Sequence, residues 1–172
     1  MAPKLRILVS VVILALPLDQ ISKMLVDSRL AHGERLSIID GFFYITHARN
    51  PGAAFGLFGG VPSDSRLFAF ALVSLIAILA IAAFYHRLAP GDRIQSLGLS
   101  LVLAGAAGNF IDRIWRGEVI DFLHVRLWGG YAWPDFNVAD SAIVVGVGLL
   151  MLELLASEGE QRVSASDGES GS

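Results

Sequence analysis

The sequence predicts an all-α membrane protein of four transmembrane helices with a small β insert outside the bilayer, and three observations carry that prediction. Apolar residues make up 54% of the 172-residue chain and the mean hydropathy is +0.61, beyond the roughly half-apolar composition of soluble domains. Charged residues are only 17% and gather in short connections and at the C-terminal end, which leaves long apolar stretches. Between these stretches lie two segments of aromatic, β-branched and glycine residues, too short to span.

The first span is expected over Leu5–Val26, about 33 Å of helix against a hydrocarbon core of roughly 30 Å. Lys4 and Arg6 ahead of Ile7–Leu18 look like the start of a secretory signal. No A-x-A cleavage site follows, so the segment reads as a retained anchor, kinked at Pro17. Ile38–Thr46 reads as part of a small sheet at the membrane surface, followed by the glycine-rich stretch Gly52–Gly60. Leu67–Tyr85 is the second span, and Pro90-Gly91 marks a tight connection to the third, Ile94–Ile111. Gly98, Gly105 and Gly108 on that third span offer close helix contact. In the second insert Leu123, Val125 and Leu127 alternate with His124, Arg126 and Trp128, the period of a half-exposed strand, and Gly129-Gly130 reads as a turn. The fourth span is expected from about Asn137 to Leu155. The predicted organisation is thus a membrane domain over 1–156 with inserts at 27–66 and 112–138, and a disordered polar tail at 157–172.

Composition excludes several chemistries. Without cysteine there is no thiolate nucleophile and no Cys-ligated zinc. The four histidines, His32, His47, His86 and His124, show no metal-binding spacing and read as interface or loop residues, so neither metal nor cofactor is expected. A net charge of -3 and the lack of a basic patch give no footprint for nucleic acid.

Ionisable and amide groups at the ends of spans are the informative residues, because a charge within the bilayer costs about 2.5–3.5 kcal/mol on insertion scales. Asp19 and Lys23 lie four apart on one helix face, the spacing of an ion pair. Asn109, Asp112 and Arg113 end the third span, where Asp112 is also spaced to pair with Arg116, and the Asn109 amide needs polar partners if buried. Asn137 and Asp140 stand as N-x-x-D at the start of the fourth span, close to a capping box. Asp121, flanked by Ile120 and Phe122, needs a partner or a raised pKa. Asp121 and Asp140 suggest a carboxylate pair that shares one proton, one member as general base on water and the other as acid, although spacing alone does not bring them together.

Asp19-Gln20-Ile21-Ser22-Lys23, Asn50-Pro51-Gly52-Ala53-Ala54-Phe55, Gly108-Asn109-Phe110-Ile111-Asp112-Arg113, Val119-Ile120-Asp121-Phe122 and Phe136-Asn137-Val138-Ala139-Asp140-Ser141 follow in that order. Each is weak alone. As a set over Leu5–Leu155 they resemble the lipoprotein signal peptidase (signal peptidase II) family. The resemblance implies an aspartyl endopeptidase with a catalytic dyad at Asp121 and Asp140. It also implies that Asn50, Gly52, Asn109, Arg113 and Asn137 hold substrate or orient the dyad, with Asp19 and Lys23 as structural support. Its implied partners are a diacylglyceryl-modified prolipoprotein, cut just before the lipidated cysteine, membrane lipid, and globomycin-like inhibitors. It implies cleavage on the outer, periplasmic face of the bacterial inner membrane, and a monomer is expected; Lys4, Arg6, Arg87 and Arg93 favour cytoplasmic termini, although the two inserts also hold Arg29, Arg35, Arg49, Arg113, Arg116 and Arg126. Pro51 and Ala104 depart from the family's common pattern without touching the implied dyad.

Other classes are weighed against this reading. Intramembrane carboxylates also mark proton- or ion-coupled transporters, and the glycines alone would suit a non-catalytic scaffold. A Ser-Lys protease would use Lys23 with Ser22 or Ser141. Adjacent residues on a helix point about 100° apart, which places Lys23 poorly for Ser22.

Overall fold

The structure, a computed structural model, describes residues 2–52, 62–89 and 91–169. Among these, four long helices are apolar enough to cross a membrane: α1 (Pro3–Arg29), α2 (Ser63–Arg87), α3 (Arg93–Arg116) and α4 (Val138–Glu169). Pro3 opens α1, where its missing N–H costs nothing, and the helix runs on through Pro17. Gly117, at φ 79°, closes α3 in the left-handed cap conformation.

Burial is arranged as lipid, not water, would dictate. Ile13, Leu14, Leu18, Phe68, Leu79 and Val144 point outward, while the buried residues of α1 are Asp19, Lys23 and Val26. Where the surroundings are as apolar as leucine, burying leucine gains little, and polar contacts and close packing hold the helices together. The α3–α4 seam shows the packing. A Cβ on Gly98 would stand 2.9 Å from the Gly146 carbonyl oxygen, and one on Gly146 would stand 2.5 Å from that of Gly98. Further along, a Cβ on Gly105 would collide with the Ala139 carbonyl. The expected close contact of Gly98, Gly105 and Gly108 is therefore found, Gly98 against Gly146, Gly105 against Ala139, and Gly108 against Asp19 of α1 and Ala139.

The inserts form one antiparallel sheet in the order β1 (Arg35–Ile39), β2 (Phe43–Asn50) and β3 (Val119–Val125). Gly41, at φ 77°, turns β1 into β2, and an irregularity between Ile45 and Ala48 resets the β2–β3 register so that Ala48 lies opposite Asp121 and Asn50 opposite Val119. Val26 of α1 packs with Ile120 and Phe122 of β3, seating the sheet on the end of the bundle. At the other end Lys4 Nζ donates to the carbonyls of His86 and Leu88 at 3.0 and 2.6 Å, which brings the N-terminus to the α2–α3 connection.

Several expectations change. The alternation over 123–128 holds for Arg126 and Trp128, which are exposed beside half-buried Val125 and Leu127, but not for His124, where the segment before α4 pairs along the edge of β3: the Phe122 and Leu123 amides both donate to the Phe136 carbonyl. His124 is buried beside Asp135, and His47 is buried with Nδ1 2.9 Å from the Leu30 carbonyl oxygen, so neither is a loop or interface histidine. The helix of α4 continues past Leu155 to Glu169, its polar residues giving helix formers such as Glu, Ala, Gln and Arg with no proline to stop it. Residues 53–60 of the glycine-rich stretch, Gly56 among them, lie outside the described residues.

The glycine seam gives a matched test within α4. Gly146→Ala is expected to lower the thermal unfolding midpoint in detergent, at a cost of about 1–3 kcal/mol from overpacking. Gly148→Ala, where an added Cβ meets nothing within 4 Å, is expected to leave the midpoint unchanged or raise it slightly. Equal losses from the two would contradict the packing account.

Candidate active site

The polar cluster starts on α1. Lys23 has no exposed surface, and an ammonium carries three donors and no acceptor. Two donate hydrogen bonds, to Asp19 Oδ2 at 2.8 Å and Asn109 Oδ1 at 3.1 Å, and the ammonium also pairs with Asp112 Oδ2 at 2.7 Å. Asp19 uses its other oxygen to accept the Ala139 amide at 2.9 Å, so α1 also pins the first turn of α4. Gln20 donates to Asp19, to Asp112 and to the Gly108 carbonyl, and Arg116 reaches both Asp112 and Gln20 Oε1. The Asp19–Lys23 and Asp112–Arg116 pairs read from spacing are thus present, joined into one buried network rather than lying at the interface.

Lys23 decides how the next shell is turned. Because it can only donate, Asn109 must present its oxygen to it, which aims the amide nitrogen at Asp140 Oδ1, 2.7 Å away. Asn137 and Asp140 form the expected reciprocal cap: the Asp140 amide donates to Asn137 Oδ1 at 2.9 Å, and the Asn137 amide donates to Asp140 Oδ2 at 3.2 Å. With its oxygen committed, the Asn137 side-chain nitrogen donates to Asp121 Oδ1 at 2.7 Å. Asn50 donates to Asp121 Oδ2 at 3.0 Å and accepts the Gly52 amide at 2.9 Å. Gly52 is at φ +86°, and a Cβ there would strike the Phe70 ring, so both conformation and space call for glycine.

Asp121 and Asp140 therefore meet through one amide, Asn137, which touches both carboxylates. The Asp121 carboxyl is pushed up to about 6, first by burial and also by the negative charge of Asp140, against the hydrogen bonds from Asn50 and Asn137. The Arg113 guanidinium donates to the Asn109 carbonyl at 3.1 Å and lies within electrostatic reach of Asp140, Asp112 and Asp121. All nine residues singled out from the sequence (Asp19, Lys23, Asn50, Gly52, Asn109, Arg113, Asp121, Asn137 and Asp140) fall in this one constellation. Sequence reading gave no role to Gln20 or Phe70. A glutamine beside Asp19 inside an apolar span was the available signal for Gln20; nothing local announces Phe70.

The Ser-Lys alternative is closed by the same contacts. Lys23 is held by Asp19, Asn109 and Asp112, and the Ser22 and Ser141 hydroxyls donate to the carbonyls of Asp19 and Asn137. Among the described residues no cluster of His, Asp or Glu is arranged to hold a metal ion.

The raised Asp121 pKa carries a sign. Between the ordinary value of 3.8 and about 6 the folded state binds more protons than the unfolded state, so stability falls as pH rises through that window. Above it, the wild type bears a penalty of about 3 kcal/mol that a neutral isostere escapes. Asp121→Asn is expected to unfold at a higher temperature than wild type at pH 7.5, with the difference gone near pH 4. Thermal unfolding in detergent across that range checks it, and a variant less stable than wild type at pH 7.5 would contradict it.

Comparison with known proteins points one way. Residues 11–156 match the family model described as signal peptidase (SPase) II. A lipoprotein signal peptidase of Geobacter metallireducens is 44% identical over 161 residues, covering 94% of this chain and 98% of that protein. One of Desulforapulum autotrophicum is 49% identical over 140 residues, covering 81% and 85%. A bacterial membrane enzyme solved by the in meso method superposes with a TM-score of 0.76 at 34% identity, covering 91% of this chain and 90% of that one.

Proposed function

This chain belongs to the signal peptidase II family, a family of aspartic peptidases that remove the signal peptides of prolipoproteins, and on that premise we propose that Asp121 and Asp140 are its catalytic dyad. The observation that carries the assignment is Asn137, whose side chain and backbone hold both carboxylates at the junction of sheet and helix bundle. A transporter reading loses its ground with the family membership, and a scaffold reading leaves a carboxylate pair, Asp121 buried and Asp140 half-buried, without use.

Two carboxylates bridged by one amide and feeling each other's charge do not readily ionise together, so the pair holds one proton in its working state. The ionised member takes a proton from water as the water oxygen attacks the scissile carbonyl. The protonated member hydrogen-bonds the carbonyl oxygen, and collapse of the tetrahedral intermediate passes a proton to the departing amine. Asn50 and Asn137 keep the oxygens of Asp121 turned, Asn109 does the same for Asp140, and Arg113 supplies positive charge where negative charge develops.

The substrate is a prolipoprotein whose cysteine carries diacylglycerol, with its acyl chains in lipid and its scissile bond at interface depth; globomycin-like peptides occupy the same place, and the enzyme works as a monomer. The enzyme sits in the inner membrane with cytoplasmic termini and a periplasmic dyad. Lys4, Arg6, Arg87 and Arg93 at the opposite end of the bundle support that orientation. The catalytic unit is residues 1–156, with 157–172 as an appendage outside the membrane domain.

In vitro cleavage of a diacylglyceryl-modified prolipoprotein is expected to fall below detection for Asp121→Asn and for Asp140→Asn, both still inserted and folded. Full turnover by either variant would remove it from the dyad. The Asn50–Gly52 loop is expected to clamp the peptide above the dyad, so Gly52→Val should cut turnover by about tenfold to a hundredfold while lowering the unfolding midpoint much less. Normal turnover in that variant would dismiss the clamp.

A further inference from the structure

The buried network has a charge balance that extends beyond the dyad. Asp19 and Asp112 each carry a negative charge, and a dyad with one bound proton carries one more. Facing these three are three cations: Lys23, bonded to Asp19 and Asp112, Arg113, whose field reaches both dyad carboxylates, and Arg116, bonded to Asp112. The constellation is neutral in the state in which the dyad holds a single proton. Any other proton count leaves a net charge in a low-dielectric setting, where charge is costly.

Arg116 is half-buried, unlike Lys23. Its side chain retains 18% exposure, whereas those of Lys23 and Asp112 retain none. It holds Asp112 Oδ1, leaving Oδ2 to Lys23, and Gln20 Oε1 accepts from it at 3.1 Å. The chain Arg116–Asp112–Lys23–Asn109–Asp140 thus runs unbroken from the membrane boundary to the dyad.

Resting on the dyad reading above, we propose that Arg116 is a positioning residue which, by closing this network, keeps the carboxyl pair at one bound proton in the pH range where the enzyme works. With Arg116 neutralised, an uncompensated charge on Asp112 favours uptake of a second proton, and the dyad loses its general base. Other charged groups near the sheet and bundle end do not replace it. Asp27, Arg49 and Glu118 form their own surface cluster beside His47, Asp135 is taken up by His124 and Thr46, and Asp64 and Arg66 at the head of α2 carry one charge of each sign.

The test is the pH–rate profile of the full-length protein in lipid nanodiscs, with a diacylglyceryl-modified prolipopeptide, for wild type, R116K, R116Q and the double variant R116Q/D112N. R116Q is expected to move the acid limb up by about one pH unit, a tenfold loss on that side only. R116K is expected to keep the wild-type limb, and R116Q/D112N to return to it, because removing Asp112 restores the balance. A loss by the same factor at every pH in R116Q, or an equal shift in R116K, overturns the proposal. Should R116Q fail to fold, a shifted acid limb in either R116K or the double variant overturns it. Cleavage by Asp121→Asn or Asp140→Asn would strike the dyad reading instead, so the two failures are told apart.

Discussion

One ammonium group, that of Lys23, sets the order of the rest. A lysine with no exposed surface in a membrane helix is tolerable only when its charge is matched, and its ammonium meets three oxygens. Two of those oxygens belong to α3 and one to α1, so the ion pairs bind the two helices where apolar packing against lipid supplies little drive. Through Asp19 the same group holds the Ala139 amide and thereby the start of α4. The glycine contacts between α3 and α4 complete the bundle by letting backbone meet backbone.

From that anchor the chemistry follows by elimination of freedom. An amide has two faces, and whichever neighbour can only donate fixes both. Lys23 turns Asn109, and the Asp140 backbone turns Asn137. The nitrogens left over point at the acids. A small sheet then lowers Asp121 and Asn50 onto the head of the bundle. Burial there strengthens each electrostatic contact and makes a shared proton cheaper than a second negative charge.

Much of this was legible in sequence, for reasons that differ by residue. Four apolar stretches longer than the bilayer is thick declare themselves. Asp19 with Lys23, Asp112 with Arg116, and Asn137 with Asp140 are local spacings with a single geometric meaning on a helix. The union of Asp121 with Asn137 and Asn50 was not local. It depends on the irregularity in β2 between Ile45 and Ala48 and on a segment pairing along the edge of β3, neither of which leaves a periodic trace. The same segment buries His124, which alternation alone had put at the surface. Gln20 showed only its polarity, since its four partners come from two helices. The helical continuation of α4 beyond Leu155 follows from propensity, which a reading by polarity had overlooked.

On the dyad reading, the carboxyl pair at the head of the bundle, Asp121 in β3 and Asp140 in the first turn of α4, holds one proton while the enzyme is active. Infrared difference spectroscopy of the protein in lipid, at the pH of maximal turnover, reads this directly through the carbonyl stretch of a protonated carboxyl group. One such band is expected in the wild type and not in the doubly substituted Asp121→Asn, Asp140→Asn protein. No protonated carboxyl at that pH, or a band that survives loss of both acids unchanged, would contradict it.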